Sequence, residues 1–460
     1  MRKKRRNKIA KRLIAGLLTV AMLSTTTGCS LFGGKNKDSY KKYEPSVKET
    51  PLASEMPVVE LTEEDASAFA RQYADQMTLE EKVAQLFVVK LEELDTTQGG
   101  YYEFKKCTKA MKQKLAEIPV GGVILFSRNI SNRKKTSHMI KRLQVNSKTP
   151  LFVTVDEEGG DVARVSSNKK MKTTAFPSAE SIGKNKDGTY VYEMGRTIAR
   201  EIRQLGFNVD FAPVADVKTS DLNAEIGNRS FGSDPDKVSE LVSAFVQGCQ
   251  ERGVCATLKH FPGQGASSGD THVESVDIDS SISKLRDLDF VPFQAGIQAG
   301  AEFVMVSHIS VSRVTETKEP ASMSELIMKT ILREELGFGG IVITDAFDMS
   351  SITDNYTPAE AAVNAFKAGA DMILMPNDLT QAYQAILAAV QDGSIPQARL
   401  EESVIRIMKT KFKHGILTEE DIQTIAAASE APTITPAPTA TPKPKSKKNK
   451  KSAKKSAKKQ

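Results

Sequence analysis

The 460-residue sequence has no tryptophan and only four cysteines. Without tryptophan, a carbohydrate site cannot stack a sugar on an indole ring. The spacing of the cysteines fits neither a disulfide framework nor a zinc site. We therefore expect no metal ion and no other cofactor. The cysteines are Cys29, Cys107, Cys249 and Cys255.

The N-terminus also lacks an apolar run long enough to span a membrane. Residues 1–12 carry eight Lys or Arg and no acid, the apolar stretch Leu13–Leu23 follows, and small residues lead to Cys29. This stretch has 11 residues, whereas a transmembrane helix needs about 20. Residues 1–28 are therefore predicted to be a cleaved export signal.

The end of this signal resembles that of a bacterial lipoprotein, in which the cysteine is lipidated and becomes the mature N-terminus. Thr26 departs from the pattern, which usually has leucine there. Two localisations follow: a lipoprotein anchored through Cys29 on the outer face of the cytoplasmic membrane, or a secreted protein. A single lipid group binds weakly unless a further chain or a basic patch assists.

Acidic residues are missing from both ends of the chain. The whole chain carries a formal charge of +7, of which residues 1–12 contribute +8 and residues 441–460 contribute +10, which leaves −11 for the rest. Residues 29–60 are predicted to be a flexible tether, and residues 429–460 a disordered tail that is Pro/Thr-rich and then Lys-rich. The lysines are expected to contact anionic lipid or an anionic wall polymer, or to have no partner. The export signal disfavours nucleic acid.

Residues 61–428 are predicted to form a single catalytic domain. Short apolar runs alternate with helix-length segments such as Lys237–Arg252 and Ser324–Leu336, which indicates an α/β fold with parallel strands. Eight strands close a TIM-type (β/α)8 barrel. An open doubly wound sheet is the alternative, but it predicts a phosphate loop such as G-x-G-x-x-G, which the sequence lacks. The runs are Gln85–Val89, Gly122–Phe126, Leu151–Val155, Val209–Phe211, Val254–Leu258, Phe303–Val306, Ile341–Thr344 and Met372–Met375.

A Gly-rich loop, Lys259–His272, concentrates ionisable groups directly after one of these runs. Asp270 lies two residues before His272, so its carboxylate can bond one imidazole nitrogen and leave the other free for proton transfer. The loop is therefore predicted to carry an acid/base pair.

Polar residues follow the other runs as well. Asp345 ends the run Gly340–Thr344, which would fix a carboxylate at the barrel mouth, as a glycosidase nucleophile requires. Asp348 is the competing carboxylate. Barrel chemistry gathers at the C-terminal ends of strands, so these groups are expected to meet. They are Arg128–Asn129, Asp156–Gly160, Asp216, Lys259–His260, Ser307–His308 and Thr344–Asp345.

Several of these motifs resemble the bacterial β-N-acetylhexosaminidases of glycoside hydrolase family 3. The resemblance covers about residues 75–415, with the motifs in the same order. It implies a retaining double displacement through a glycosyl-enzyme intermediate. The motifs are Asp156–Gly160, Phe211–Val217, Asn228–Gly232, Lys259–Gly263, Asp270–His272, Met305–His308 and Gly337–Asp345.

The resemblance also implies roles for single residues. Asp345 would be the nucleophile and His272 the acid/base, oriented by Asp270. The implied substrate is a carbohydrate with a terminal N-acetylglucosamine, as in muropeptides or chito-oligosaccharides, and the chain is expected to act as a monomer. The residues implied to hold this sugar are Asp156, Arg164, Arg229, Lys259 and His260, with His308 where a pocket residue is expected.

Three residues depart from the family pattern. Gln264 replaces a second histidine, Asp161 stands where many members have arginine, and Thr271 replaces a common serine. Reaction type is therefore better supported than substrate preference. The alternatives are a β-glucosidase-like hydrolase, a β-N-acetylglucosaminide phosphorylase on the same scaffold, and an inactive wall-sugar-binding lipoprotein.

Overall fold

The computed structural model describes residues 62–421, and eight of its strands close into a parallel barrel. The last strand pairs with the first, so the predicted TIM-type (β/α)8 barrel is confirmed. Two further strands, β4 and β5, form a separate antiparallel hairpin. In chain order the strands are β1 Phe87–Lys90, β2 Gly122–Ile124, β3 Phe152–Val155, β4 Glu157–Gly159, β5 Val162–Ala163, β6 Val209–Asp210, β7 Cys255–Phe261, β8 Phe303–Val306, β9 Ile341–Ala346 and β10 Met372–Leu374.

The predicted export signal, Cys29, the tether and the lysine tail lie outside the described residues. Within residues 62–421, no helix combines the length and apolar character needed to cross a membrane.

Helices connect the strands and cover the barrel. Two segments, Leu285–Asp289 and Leu326–Glu335, are π-helical. The α-helices are Glu63–Ala74, Leu79–Ala84, Leu91–Leu94, Lys109–Glu117, Arg133–Gln144, Ala179–Asn185, Gly188–Arg203, Pro235–Glu251, Ile282–Lys284, Phe290–Gln298, Ser312–Thr315, Ser350–Thr353, Pro358–Ala368, Leu379–Gln391 and Gln397–Lys413.

The helix Pro235–Glu251 shows how local sequence builds these elements. Its first turn holds a proline, and the side chain of Asp234 accepts a hydrogen bond from Asp236 N–H, a favourable start for a helix. It packs closely on the helix Gly188–Arg203. A Cβ at Gly248 would lie 2.1 Å from the carbonyl oxygen of Tyr192, so this contact requires glycine.

Two strands extend further than predicted. β7 continues through Lys259 and His260 to Phe261, and β9 includes Asp345, so these polar residues lie on strands and not after them. Their backbones remain paired: Lys259 C=O accepts from Ala215 N–H at 2.7 Å, and Phe261 C=O from Ser307 N–H at 2.8 Å. Strand pairing therefore holds Lys259 and His260 more rigidly than a loop would.

The hairpin β4–β5 was not predicted. Its reversal uses Gly159 and Gly160, whose φ angles of 89° and 61° lie in the left-handed region that favours glycine. A Cβ at Gly160 would also lie 2.7 Å from Ser178 Cα. The hairpin places Glu158 and Arg164 beside the end of β3.

Candidate active site

Four charged side chains meet at the C-terminal ends of β3 and β7. Lys259 Nζ lies 2.6 Å from a carboxylate oxygen of Glu158 and 3.0 Å from Oδ1 of Asp156. Arg229 donates from Nε and Nη2 to the two oxygens of Glu158, at 3.0 and 2.8 Å. We call Asp156, Glu158, Arg229 and Lys259 the Glu158 cluster. Glu158 thus joins three residues that the resemblance assigned to sugar binding.

The Glu158 cluster is buried but remains charged. Burial alone would raise the pKa of Glu158, yet Arg229 and Lys259 outweigh it and lower the pKa to about 2. Burial would likewise lower the pKa of Lys259, but the carboxylates of Asp156 and Glu158 raise it. Ionised donors and acceptors form the stronger hydrogen bonds to sugar hydroxyls.

His260 lies behind this cluster. Its Nδ1 lies 2.7 Å from Oδ2 of Asp216, which also accepts the His260 backbone N–H at 3.1 Å. Because Nδ1–H donates to the carboxylate, Nε2 is the acceptor, and it faces Arg229 Nη2 at 3.4 Å. His260 therefore orients Arg229.

Gln264, one of the departures from the family pattern, is a fully buried residue of the loop that follows β7. Its backbone N–H donates to Oδ1 of Asp216 at 2.6 Å, and its side-chain amide lies 3.4 Å from Oγ1 of Thr271. Gln264 therefore ties the start of this loop to Asp216 and to Thr271 near its end.

Arg164 and Asp161 lie on the hairpin at the open side of the cluster. Arg164 Nε is 3.7 Å from Oδ2 of Asp156 and has no hydrogen-bond partner among the described residues. Nε itself is buried, while the side chain as a whole is 32% exposed. Asp161 Oδ2 accepts from the side-chain amide of Asn228 at 2.8 Å.

The loop after β7 brings Asp270 and His272 together as predicted. Oδ1 of Asp270 lies 2.8 Å from His272 Nδ1 and accepts the His272 backbone N–H at 2.9 Å. Nε2 has no hydrogen-bond partner among residues 62–421. Hydrogen bonding to Glu225 and to Asp270 raises the pKa of His272 to about 9, and the charge of Asp345 adds to this effect.

Asp345 is distinguished from Asp348 by its partners. Oδ1 of Asp345 accepts the backbone N–H of Ala346 at 2.7 Å, whereas Asp348 forms an ion pair with Lys90 at 2.8 Å. The carbonyl of His272 accepts Ser350 N–H at 3.3 Å, which ties the acid/base loop to the segment after β9. His272 and Asp345 thus belong to one site. Among the described residues, Asp345 has no cationic partner within hydrogen-bonding distance.

His308 is placed differently from the sugar-binding candidates. Its Nδ1 lies 2.9 Å from Oγ of Ser322, and its Nε2–H donates to the carbonyl of Ala346 at 2.9 Å. Burial lowers the pKa of His308, so the ring is neutral. Because both nitrogens are engaged, His308 supports the backbone beside Asp345.

Sequence reasoning gave no role to Glu158, Asp216 or Glu225. Glu158 and Asp216 lay inside quoted motifs and at strand ends, so position could have found them. Glu225 lies in a loop with no such signal. With Asp270 and His272 it presents ligand atoms within 4.8 Å of one another, a spacing that a metal ion could also use.

A family model described as "Glycosyl hydrolase family 3 N terminal domain" matches residues 78–410. The chain belongs to glycosyl hydrolase family 3. The resemblance seen in the motifs is thereby confirmed, and the prediction of a glycoside hydrolase with it.

Two relatives in this family illustrate the match. Over 331 residues the chain is 34% identical to the beta-hexosaminidase A of Pseudoalteromonas piscicida, covering 66% of this chain and 55% of that protein. Over 316 residues it is 33% identical to the beta-hexosaminidase of Idiomarina loihiensis, covering 68% of this chain and 91% of that protein. The chain thus spans about half of the first family 3 relative and most of the second.

A solved family 3 structure agrees with these relatives. The glycoside hydrolase family 3 beta-N-acetylglucosaminidase of Paenibacillus sp. str. FPU-7 superposes with a TM-score of 0.69 at 31% identity. The superposition covers 77% of this chain and 68% of that one.

Proposed function

We propose that this family 3 member is an exo-acting, retaining β-N-acetylglucosaminidase that removes terminal N-acetylglucosamine. The observation that carries the proposal is that Asp345 and His272 lie at the same end of the barrel. Asp345 is on β9 and has no cationic partner among residues 62–421, and the loop of His272 is hydrogen-bonded to the segment after that strand. The names of the relatives support the choice of sugar.

In the first step, an oxygen of Asp345 bonds to the anomeric carbon as the glycosidic bond breaks. His272 Nε2–H gives its proton to the departing oxygen. A pKa of about 9 keeps His272 protonated at neutral pH, as a general acid must be.

In the second step, water attacks the anomeric carbon, the bond to Asp345 breaks, and His272 accepts the proton of the water. Asp345 is then an uncharged ester, so it no longer raises the pKa of His272. The imidazole therefore stays unprotonated more readily in this step, as a general base must.

The Glu158 cluster would bind the sugar. Asp156, Arg164 and Lys259 offer acceptors and donors to its hydroxyl and acetamido groups, while Glu158 and His260 hold Arg229 and Lys259 in place. Some charged groups thus bind the sugar and others hold the binding groups in place, which explains why so many charges are buried in a site for a neutral ligand.

The natural substrate is proposed to be a peptidoglycan-derived fragment outside the cytoplasm. The basic and apolar N-terminus ending at Cys29 supports export, either as a lipoprotein on the cytoplasmic membrane or in secreted form. The lysine-rich tail supports contact with anionic lipid or wall polymer.

The test is release of aryl alcohol from aryl β-N-acetylglucosaminide and aryl β-glucoside by the full chain, with and without phosphate. We expect hydrolysis of the first that is indifferent to phosphate and is abolished in Asp345→Ala. Asp348→Asn is the matched control and should retain the chemistry.

Other outcomes would replace the proposal. Turnover that requires phosphate would identify a phosphorylase, and preference for the glucoside would identify a β-glucosidase-like hydrolase. Binding of muropeptides without turnover of any substrate would identify a sugar-binding protein.

A further inference from the structure

Glu225 lies beneath the acid/base loop and contacts it at three points. Its Oε2 accepts Thr271 N–H at 2.9 Å and its Oε1 accepts Thr271 Oγ1–H at 2.7 Å. The same Oε1 lies 3.4 Å from His272 Nδ1. His272 Nδ1 is therefore hydrogen-bonded to Asp270 at 2.8 Å and faces a second carboxylate, that of Glu225, at 3.4 Å.

The two carboxylates differ in their exposure to water. The side chain of Asp270 is 41% exposed, whereas that of Glu225 is 2% exposed. Water screens the charge of Asp270, so the shorter contact does not have the larger electrostatic effect. Glu225 acts from a low-dielectric position, and its hydrogen bond is the largest cause of the raised pKa of His272.

Glu225 is also ionised at neutral pH. Burial alone would raise the pKa of Glu225, but the hydrogen bonds from His272 and Thr271 outweigh it and lower the pKa to about 2. A permanent buried anion thus faces the ring nitrogen opposite the catalytic one.

The backbone of Glu225 connects this loop to the Glu158 cluster. Its carbonyl accepts from Arg229 Nη1 at 3.1 Å, and Arg229 binds Glu158 through its other donors. One residue therefore contacts both the proton-transfer loop and an arginine assigned to sugar binding.

We propose that Glu225 is a positioning residue for the acid/base, so that His272 works in a triad with Asp270 and Glu225. Glu225 holds Thr271 and the ring of His272 in place through these contacts. The inference rests on the proposed function, in which His272 is the general acid.

The first experiment is the pH profile of kcat/KM for Glu225→Gln on an aryl β-N-acetylglucosaminide with a poor leaving group. Glutamine keeps an acceptor for Thr271 but removes the charge. We expect the alkaline limb, near pH 9 in the unmodified enzyme, to move by about one unit toward neutrality, with kcat/KM at pH 8.5 about threefold lower. Thermal stability should change little.

The matched control is Glu274→Gln, which removes one negative charge from an exposed position on the same loop. Its pH profile should overlay that of the unmodified enzyme. Equal profiles for Glu225→Gln and Glu274→Gln would overturn the proposal. All assays contain a chelator. Loss of activity of the unmodified enzyme in the chelator, restored by added metal, would also overturn the proposal.

A second measurement does not depend on turnover. In full-length protein with isotopically labelled histidine, the His272 resonance, assigned by its loss in His272→Asn, should titrate near pH 9 and shift downward in Glu225→Gln. An unshifted midpoint would refute the role of Glu225 even in an active enzyme. If no glycoside is hydrolysed but the midpoint shifts, the proposed function fails while the electrostatic role of Glu225 stands.

Discussion

Two buried carboxylates, Glu158 and Asp371, bind arginines at opposite ends of the same barrel. Glu158 follows β3 at the C-terminal ends of the strands, and Asp371 precedes β10 at the N-terminal ends. Asp371 accepts from Arg406 at 3.1 Å and Ser403 at 2.6 Å, and it also binds Arg333. We call Arg333, Asp371, Arg399 and Arg406 the Asp371 cluster.

The surroundings of the two clusters differ in whether a polar group remains without a hydrogen-bond partner. In the Asp371 cluster the side chains also bond to backbone groups. Arg399 donates to Ala370 C=O at 2.7 Å, and Arg333 donates to Phe338 C=O at 2.8 Å. Asp371 accepts Val342 N–H at 2.9 Å. Beside the Glu158 cluster, Arg164 Nε has no protein partner in the described chain. The helix Gln397–Lys413 lies at the N-terminal ends of the strands, where Lys411 contacts Gln85 and Ser403 contacts Asp371. At the other end the side chain of His272 is 61% exposed. Similar ion pairs therefore serve stability at one end and binding at the other.

His272→Ala should greatly reduce activity with little effect on stability. General acid catalysis contributes about 10²–10⁴-fold, so kcat on a glycoside with a poor leaving group should fall by about 10³-fold. An activated aryl glycoside needs little protonation and should be affected far less. Equal losses on both substrates, or a large drop in Tm, would contradict the assignment.

Asp371→Asn should have the converse effect. It leaves three arginines beside a neutral group, and breaking a buried ion pair costs about 3–5 kcal/mol of unfolding free energy. Urea unfolding measures this loss, while kcat/KM of the folded enzyme should stay within about twofold. Asp279→Asn, at an ion pair whose aspartate is 85% exposed, is the control and should unfold almost like the parent. A similar small loss in both variants would remove the contrast between the two ends.

Lys411→Met should have the smallest effect. Lys411 is fully buried, its Nζ lies 2.7 Å from Oε1 of Gln85, and no carboxylate lies within ion-pair distance in residues 62–421. Burial lowers the pKa of Lys411 well below its ordinary value, so folding below that value requires loss of a proton. Methionine should therefore stabilise the protein by about 1 kcal/mol at pH 7.

The pH dependence of the stability gained by Lys411→Met gives a separate check. The unfolded state binds more protons than the folded state, so the stability of the parent rises with pH up to the unfolded pKa of lysine, roughly 10.4. The advantage of Lys411→Met should shrink over that interval in urea titrations at several pH values. An advantage that stays constant over that interval would show that the amine is protonated in the folded state as well as in the unfolded state.

The sequence alone determined the barrel and many of its site residues. A parallel barrel strand is buried on both faces, so it reads as a short apolar run, and its C-terminal end must carry the chemistry. Local order therefore predicted where Asp156, Lys259 and Asp345 would gather, and the pairing of Asp270 with His272, which lie two positions apart.

Only the tertiary structure decided which of these groups touch and which stand apart. Lys259 reaches Asp156 across 103 positions, and Thr271 reaches Glu225 across 46. Barrel closure also showed that His308 is saturated by Ser322 and Ala346, and that Asp348 is paired with Lys90. Patterns of period two and 3.6 report which face of an element is buried, but a partner's identity depends on strand register and loop path, which no local pattern encodes.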